Sequence, residues 1–137
     1  MKILLDTNFL YALNDRRDRN HIRSVEFLRT CNASLLLPTP ILPEICYLLD
    51  SRLGHVAMRR FLSGLVASDI ELVAIVATDM PRVVEILAQY ADARLDFADA
   101  TITVIAERLD IARILTYDRR DFSIVRPRHC DFFELLP

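Results

Sequence analysis

Two aspartates stand where α/β proteins commonly place ligand-binding side chains. Asp6 directly follows a short apolar run, and Asp118 comes two residues after Thr116, where a later apolar run ends. Ligands of open α/β sheets bind beyond the carboxyl ends of the strands, so both carboxylates are expected at one sheet edge. A strand-end carboxylate can also serve only as a helix N-cap, although for Asp6 the neighbouring Thr7 and Asn8 can cap equally well.

Three further acids are candidates, and they lie in two predicted helices. Glu44 lies one turn into a helix that begins at Thr39 and Pro40, a hydroxyl N-cap followed by a proline. A glutamate there is favourable with the helix dipole by about 0.3–1 kcal/mol, but its apolar neighbours favour an acid held partly inside. Asp96 and Asp99 share a face near the start of another helix. Asp96 can be its N-cap, whereas the apolar residues around Asp99 favour a functional role.

Four or five carboxylates gathered at one edge require a counter-charge. Two like charges about 4 Å apart repel by about 4 kcal/mol at an effective dielectric constant near 20. The cluster is therefore stable only if it is protonated or neutralised by a cation. Oxygen ligands favour a hard ion, which predicts Mg²⁺ or alternatively Mn²⁺. The three histidines have no paired spacing that would indicate zinc, and two glycines are too few for a glycine-rich phosphate loop.

The elements that position these acids alternate between strand and helix along one expected domain, residues 1–137. Apolar runs predict strands over 2–5, 35–37, 70–76, 113–116 and 130–135. Helical spacing and capping residues predict helices over 7–14, 20–29, 39–53, 55–66, 78–90 and 97–109. Continuous apolar strands that alternate with helices indicate an α/β fold with a parallel sheet covered on both faces.

The charged residues suggest how a substrate would be held. The chain has 17 basic and 19 acidic residues, but without the candidate acids the remainder is net basic, and Lys2 is the single lysine. Arginine forks pair with phosphates through two hydrogen bonds. A basic rim around the acidic pocket is predicted to bind RNA, formed by Arg119 and Arg120 beside Asp118 and by Arg16, Arg17 and Arg19 after the first helix. The alternative is that these arginines are simply solvated.

The candidate residues together resemble the PIN-domain family and, within it, the VapC toxins. The resemblance is carried by Asp6-Thr7-Asn8 after the first strand, Glu44 in a helix, Asp99-Ala100 in a later helix, and Thr-Tyr-Asp-Arg-Arg-Asp-Phe at 116–122. It covers essentially the whole chain, in the order and length of the family. The first tripeptide alone is common, but the four segments together are specific.

The resemblance implies a three-layer α/β/α fold with a central, mainly parallel sheet of four to five strands. It also implies a Mg²⁺-dependent endoribonuclease, the toxin of a VapBC-like pair, which forms a homodimer and is held inactive by a small antitoxin from a neighbouring gene. Asp6 and Asp99 match the principal metal ligands, and Glu44 and Asp118 match the remaining acids. Thr7, Asn8 and Thr116 are expected to support them, and Asp96 is additional to the minimal pattern.

Two other classes of protein place an aspartate after the first or a later strand, but their remaining residues are absent here. A haloacid-dehalogenase-type phosphatase needs a second aspartate where Asn8 stands, and a receiver domain needs an acidic pair and a late lysine. A catalytically inactive PIN-like module that binds RNA or protein remains the alternative. No signal peptide or membrane span is expected, and three reduced cysteines fit a cytoplasmic protein.

Overall fold

A five-stranded parallel sheet forms the centre of the structure, which is a computed structural model that describes residues 1–137. The strands lie in the order β3-β2-β1-β4-β5, with every neighbouring pair parallel. Their bounds are β1 Lys2–Leu5, β2 Ser34–Pro38, β3 Glu71–Val73, β4 Arg113–Leu115 and β5 Glu134–Leu136. The predicted parallel α/β sheet is confirmed.

Seven helices connect the strands and cover both faces of the sheet. Their bounds are α1 Thr7–Asn14, α2 His21–Thr30, α3 Leu42–Leu53, α4 His55–Ala67, α5 Met80–Gln89, α6 Phe97–Leu109 and α7 Arg119–Ile124. The chain moves one way across the sheet from β1 to β3 and the other way from β3 to β5. Right-handed crossovers therefore put α1–α4 on one face and α5–α7 on the other. The helix contacts divide accordingly, since α1 packs on α2 and α3, α3 packs on α4, and α5 packs on α6.

The central strand is buried on both sides, as its unbroken apolar sequence predicts. Ile3, Leu4 and Leu5 are at most 1% exposed, and β1 pairs with β2 on one side and β4 on the other. Helix α6 is the most buried helix, with every residue from Asp99 to Ala106 buried. The acids that border these two elements are therefore held by a rigid part of the core.

Two helices begin later than the sequence predicted, for a reason set by proline. The helix expected from residue 39 opens with a 3₁₀ turn over Thr39–Ile41, and α3 follows with Pro43 in its first turn. The helix expected from residue 78 likewise opens with a 3₁₀ turn over Ala77–Asp79 before α5, where Pro81 takes the same place. Proline lacks an amide hydrogen and is tolerated only where the helix has no bond to make there.

The ends of the sheet differ most from the sequence prediction. The expected strand over 70–76 pairs only at Glu71–Val73, and the strand expected over 130–135 is formed by Glu134–Leu136. A short helix that was not predicted, α7, begins directly after Asp118. None of the helices combines the length and the apolar character that crossing a bilayer requires.

Candidate active site

Asp6 occupies the point where the central strand ends, and both of its carboxylate oxygens are held. The backbone N–H of Thr7 donates to Oδ1 at 2.8 Å, and the hydroxyl of Thr116 donates to Oδ2 at 2.7 Å. Leu5 pairs with Leu115 in the sheet, so the residues that follow β1 and β4 necessarily meet. The side chain is 6% exposed, which makes Asp6 a buried and firmly oriented acid.

The segment after β4 is fastened to the first turn of α1 by one backbone hydrogen bond and stiffened by a second within the segment. The N–H of Tyr117 donates to the side-chain oxygen of Asn8 at 2.9 Å. The N–H of Asp118 donates to the hydroxyl oxygen of Thr116, also at 2.9 Å. Asn8 and Thr116 therefore fix the position of Asp118 relative to β1, although neither side chain is charged.

Three carboxylates approach one another closely beside this segment. Asp99, Asp118 and Asp121 each offer one oxygen, and these oxygens all lie within 4.8 Å of one another. Asp118 is the N-cap of α7 and accepts the N–H of Asp121 at 3.2 Å. Asp121 was not among the acids predicted for the site. Its three-residue spacing from Asp118 was a usable signal, because a capping turn brings such a pair together.

The remaining predicted acids stand around the same space. Asp96 is the N-cap of α6 and accepts the N–H of Asp99 at 2.8 Å, so its capping role is observed. Glu44 is exposed and not half-buried as its apolar neighbours suggested. The reason is that Ile45 and Leu49 turn into the core, whereas Glu44 lies on the helix face that borders the cavity.

The acids line a cavity of about 530 Å³ at the carboxyl edge of β1 and β4. Six carboxylates and two arginines take part in its wall. Its lining residues are Asp6, Thr7, Asn8, Tyr11, Asp18, Arg19, Asn20, Glu44, Leu48, Arg52, Asp96, Ala98, Asp99, Tyr117 and Asp118. The structure thus gathers all five sequence-predicted acids, which lie on four separate parts of the chain.

Burial and mutual repulsion make these carboxyls hard to ionise without a counter-charge. Burial, followed by the charges of neighbouring acids with Asp96 first, raises the pKa of Asp99 to about 9. Burial also raises the pKa of Asp6 to about 6, although the hydrogen bonds from Thr116 and Thr7 oppose the change. Burial likewise raises the pKa of Asp118. Such a cluster is a common mark of a functional site.

The donor set fits a hard divalent cation. The side chains of the cavity that can bind a metal ion offer carboxylate, hydroxyl and amide oxygens, which Mg²⁺ and Mn²⁺ prefer. Thr7 is 3% exposed and its buried hydroxyl has no hydrogen-bond partner, so a polar atom in the cavity wall lacks an expected contact. A divalent cation would hold Asp6, Asp99 and Asp118 in their charged forms.

The arginines predicted to form a basic rim lie partly in the cavity wall and partly outside it. Arg19 lines the cavity, but Arg16, Arg17, Arg119 and Arg120 do not. The guanidinium of Arg119 donates to the backbone oxygen of Pro137 at 3.1 Å. Arg52, on α3, lines the cavity and was not singled out in the sequence.

The fold and the acidic cavity define the class of this protein. The chain belongs to the PIN-domain family, whose model, described as PIN domain, matches residues 3–126. It is similar to ribonuclease VapC26 of Mycobacterium tuberculosis, with 30% identity over 135 residues, which cover 98% of this chain and all of that protein.

Two solved structures are similar to the whole fold. One is VapC20 of Mycobacterium tuberculosis, a toxin that cleaves the sarcin–ricin loop, with a TM-score of 0.80 and 20% identity over 87% of this chain and 92% of that one. The other is VapBC2 of Rickettsia felis bound to a DNA fragment from its promoter, with a TM-score of 0.73, 15% identity and full coverage of both chains. At these identities the likeness shows the fold.

Proposed function

We propose that this protein is a divalent-metal-dependent endoribonuclease, with Mg²⁺ as its metal and Mn²⁺ as a substitute. The observation that carries the proposal is the convergence of Asp6, Glu44, Asp99 and Asp118 on one cavity, with Asp99 unable to ionise readily on its own. The name ribonuclease, given to a relative that is 30% identical over nearly the whole chain, supports the reaction class.

The position of each side chain in the cavity indicates its proposed role in RNA hydrolysis. A divalent ion, when bound, supplies the activation of water and the stabilisation of the leaving oxygen. Asp6 and Asp99 are proposed to hold it directly, with Asp6 oriented by the hydrogen bonds from Thr116 and Thr7. Asp118 completes the inner side of the site, where Asp121 and Asp96 add negative charge.

Proton transfers accompany both binding and catalysis. Asp99 must lose its carboxyl proton before it can act as an anionic ligand, so binding of the cation releases a proton. Glu44 faces the cavity from α3 and is exposed, which suits it to orient a water or accept a proton. No side chain of the cavity is a serine, cysteine or histidine, and the proposed reaction needs no covalent intermediate on the protein.

We further propose the partners that a VapC-type toxin requires. These are a VapB-like antitoxin and a second copy of the chain in a homodimer, with the cytoplasm as the site of action. The likeness to VapC structures, one of them a VapBC assembly, supports the antitoxin. The proposed rim of Arg16, Arg17, Arg119 and Arg120 would contact RNA beyond the cavity itself.

The deciding experiment is cleavage of a panel of structured RNAs by the purified protein. We expect cuts in Mg²⁺ or Mn²⁺, none in EDTA, and none with the folded Asp99→Asn variant. Asp6→Asn is expected to behave in the same way. Cleavage by the folded Asp99→Asn variant that equals that of the wild-type protein would reject the assigned role.

A further inference from the structure

Helix α3 carries a second cavity-facing charge besides Glu44. Glu44, Leu48 and Arg52 all line the cavity, and their spacing of four residues places them along one face of the helix. Eight residues of α-helix span about 12 Å. One helix face therefore presents an acid near the carboxylate cluster and, attached to the backbone about 12 Å further along the helix, a cation on the same wall.

The Arg52 guanidinium is positioned by an aromatic ring and not by an acid. Its Cζ atom lies 5.0 Å from the centroid of the Tyr11 ring. Tyr11 is itself fixed, since it is 8% exposed and its hydroxyl donates to Asp15 at 2.7 Å. The ion pairs of the structure leave Arg52 out, so the N–H donors that do not contact the Tyr11 hydroxyl are available to a ligand.

We propose that Arg52 binds a backbone phosphate of the nucleic-acid strand and so positions the strand across the carboxylates. This inference rests on the proposed function. A stacked strand carries one phosphate per about 3.4 Å of its length. The roughly 12 Å of helix backbone between Glu44 and Arg52 is about three such spacings, before the reach of either side chain, so the contacted phosphate is expected within a few nucleotides of the acids.

The charge of the cavity explains why a positioning cation is needed there. Six carboxylates line the wall, and the only arginines among the lining residues are Arg19 and Arg52. A polyanion that approaches these acids is repelled, and a fixed arginine with a planar fork offsets the repulsion at a defined place. Arg19 lies on the loop between α1 and α2, and Tyr11 holds Arg52 but not Arg19.

The test compares Arg52→Ala and Arg52→Lys with Arg59→Ala. Arg59 is an exposed arginine of α4 that does not line the cavity, so its substitution is a matched control. Cleavage of a labelled single-stranded 12-nucleotide RNA in Mg²⁺ gives kcat and KM. The affinity for the same RNA is measured over a range of salt concentrations in an Asp99→Asn background, where the RNA stays intact.

We expect Arg52→Ala to raise KM and Kd about tenfold and to leave kcat within about threefold, the pattern of lost binding and not of lost chemistry. The slope of log affinity against log salt should become shallower by about 0.7, the value for one phosphate contact on a single strand. Arg52→Lys should restore the slope but only part of the affinity, because lysine lacks the fork. Arg59→Ala should match the wild-type protein.

Several outcomes overturn the role of Arg52. These are a Kd and a salt slope unchanged in Arg52→Ala, a kcat loss at constant KM, or a melting temperature low enough to account for the weaker binding. RNA binding that depends on Arg52, without wild-type cleavage of either this RNA or the structured RNAs, would instead refute the nuclease and support the phosphate contact. An absence of RNA binding by every variant would overturn the phosphate contact itself.

Discussion

Asp99→Asn should make the metal-free protein more stable, although the substitution removes a candidate ligand. The pKa of Asp99 is raised from 3.8 to about 9 in the folded chain. Between these values the folded state holds a proton that the unfolded state has released, so the free energy of unfolding falls as the pH rises from about 4 to about 9. Asparagine has nearly the shape of the protonated acid and carries no such dependence.

The size of the gain follows from the distance between the usual pKa and the working pH. Each pH unit is worth about 1.36 kcal/mol, and pH 7 lies about three units above the usual pKa, which gives an upper limit of about 4 kcal/mol. Water in the open cavity screens the charge, so we expect about 2 kcal/mol. For a chain of this length that raises the melting temperature by about 6 °C.

The assay is thermal and chemical unfolding in EDTA between pH 5 and pH 8. The stability difference between Asp99→Asn and the wild-type protein should grow with pH. Asp92→Asn, an exposed acid outside the cavity, should show none. Saturating Mg²⁺ should reverse the order, because a ligand at 100 times its Kd stabilises the wild-type protein by about 2.7 kcal/mol. An Asp99→Asn variant less stable than the wild-type protein in EDTA at pH 8 would refute the conclusion that the Asp99 carboxyl destabilises the metal-free protein.

Three further outcomes are expected from the same geometry. Thr116→Val should lower the free energy of unfolding by about 2 kcal/mol, because it strips a 2.7 Å hydrogen bond from the buried carboxylate of Asp6; denaturant titration should show Thr116→Ser near the wild-type value. Mg²⁺ affinity, measured by calorimetry, should rise as the pH increases through about 6, because below that pH a proton on Asp6 competes with the metal, and should go on rising toward about pH 9, where Asp99 ionises; pH-independent binding would argue against both acids as ligands. Gly54→Ala should destabilise the protein by about 1–3 kcal/mol, because Gly54 joins α3 to α4 at φ 103° and ψ 163°, a conformation nearly confined to glycine. Gly64→Ala is the control, since Gly64 lies within α4 with open space around it, and this change should be neutral or stabilising. Equal effects of the two changes on the free energy of unfolding would contradict the prediction.

The buried parts of the fold could be predicted from sequence, but its short peripheral elements could not. The strands β1 and β2 are continuous apolar runs because helices cover both faces of the sheet. In contrast, α7 has six residues, most of them polar, and it depends on the Asp118 cap and on Phe122, which is fully buried. Its helical state is thus set by tertiary packing. The final strand is also only three residues long and pairs with β4 alone.

The same distinction applies to the cavity. The acids could be proposed because a strand end or a first helical turn marks each of them in the sequence. Arg52 has no such mark, because it lies in the last turn of α3 among many exposed arginines. It reaches the cavity only because α3 packs on α1, which puts its guanidinium over Tyr11. Which residues of two packed helices lie next to each other depends on the packing angle between the helices, which the local sequence does not encode.

The order of the strands explains why the mutually repelling carboxylates of Asp6, Asp99 and Asp118 lie together at this edge of the sheet. The chain leaves β1 toward β2 and β3 and returns on the other side of β1 at β4. The connections from β1 and β4 therefore diverge to opposite faces and open a crevice at their carboxyl ends, which is where α/β proteins bind ligands. Asp6 and Asp118 are placed there by β1 and β4, and the N-terminus of α6 adds Asp99 beside them. Because the backbone holds all three residues close together, a proton or a cation in the crevice relieves the repulsion among their carboxylates.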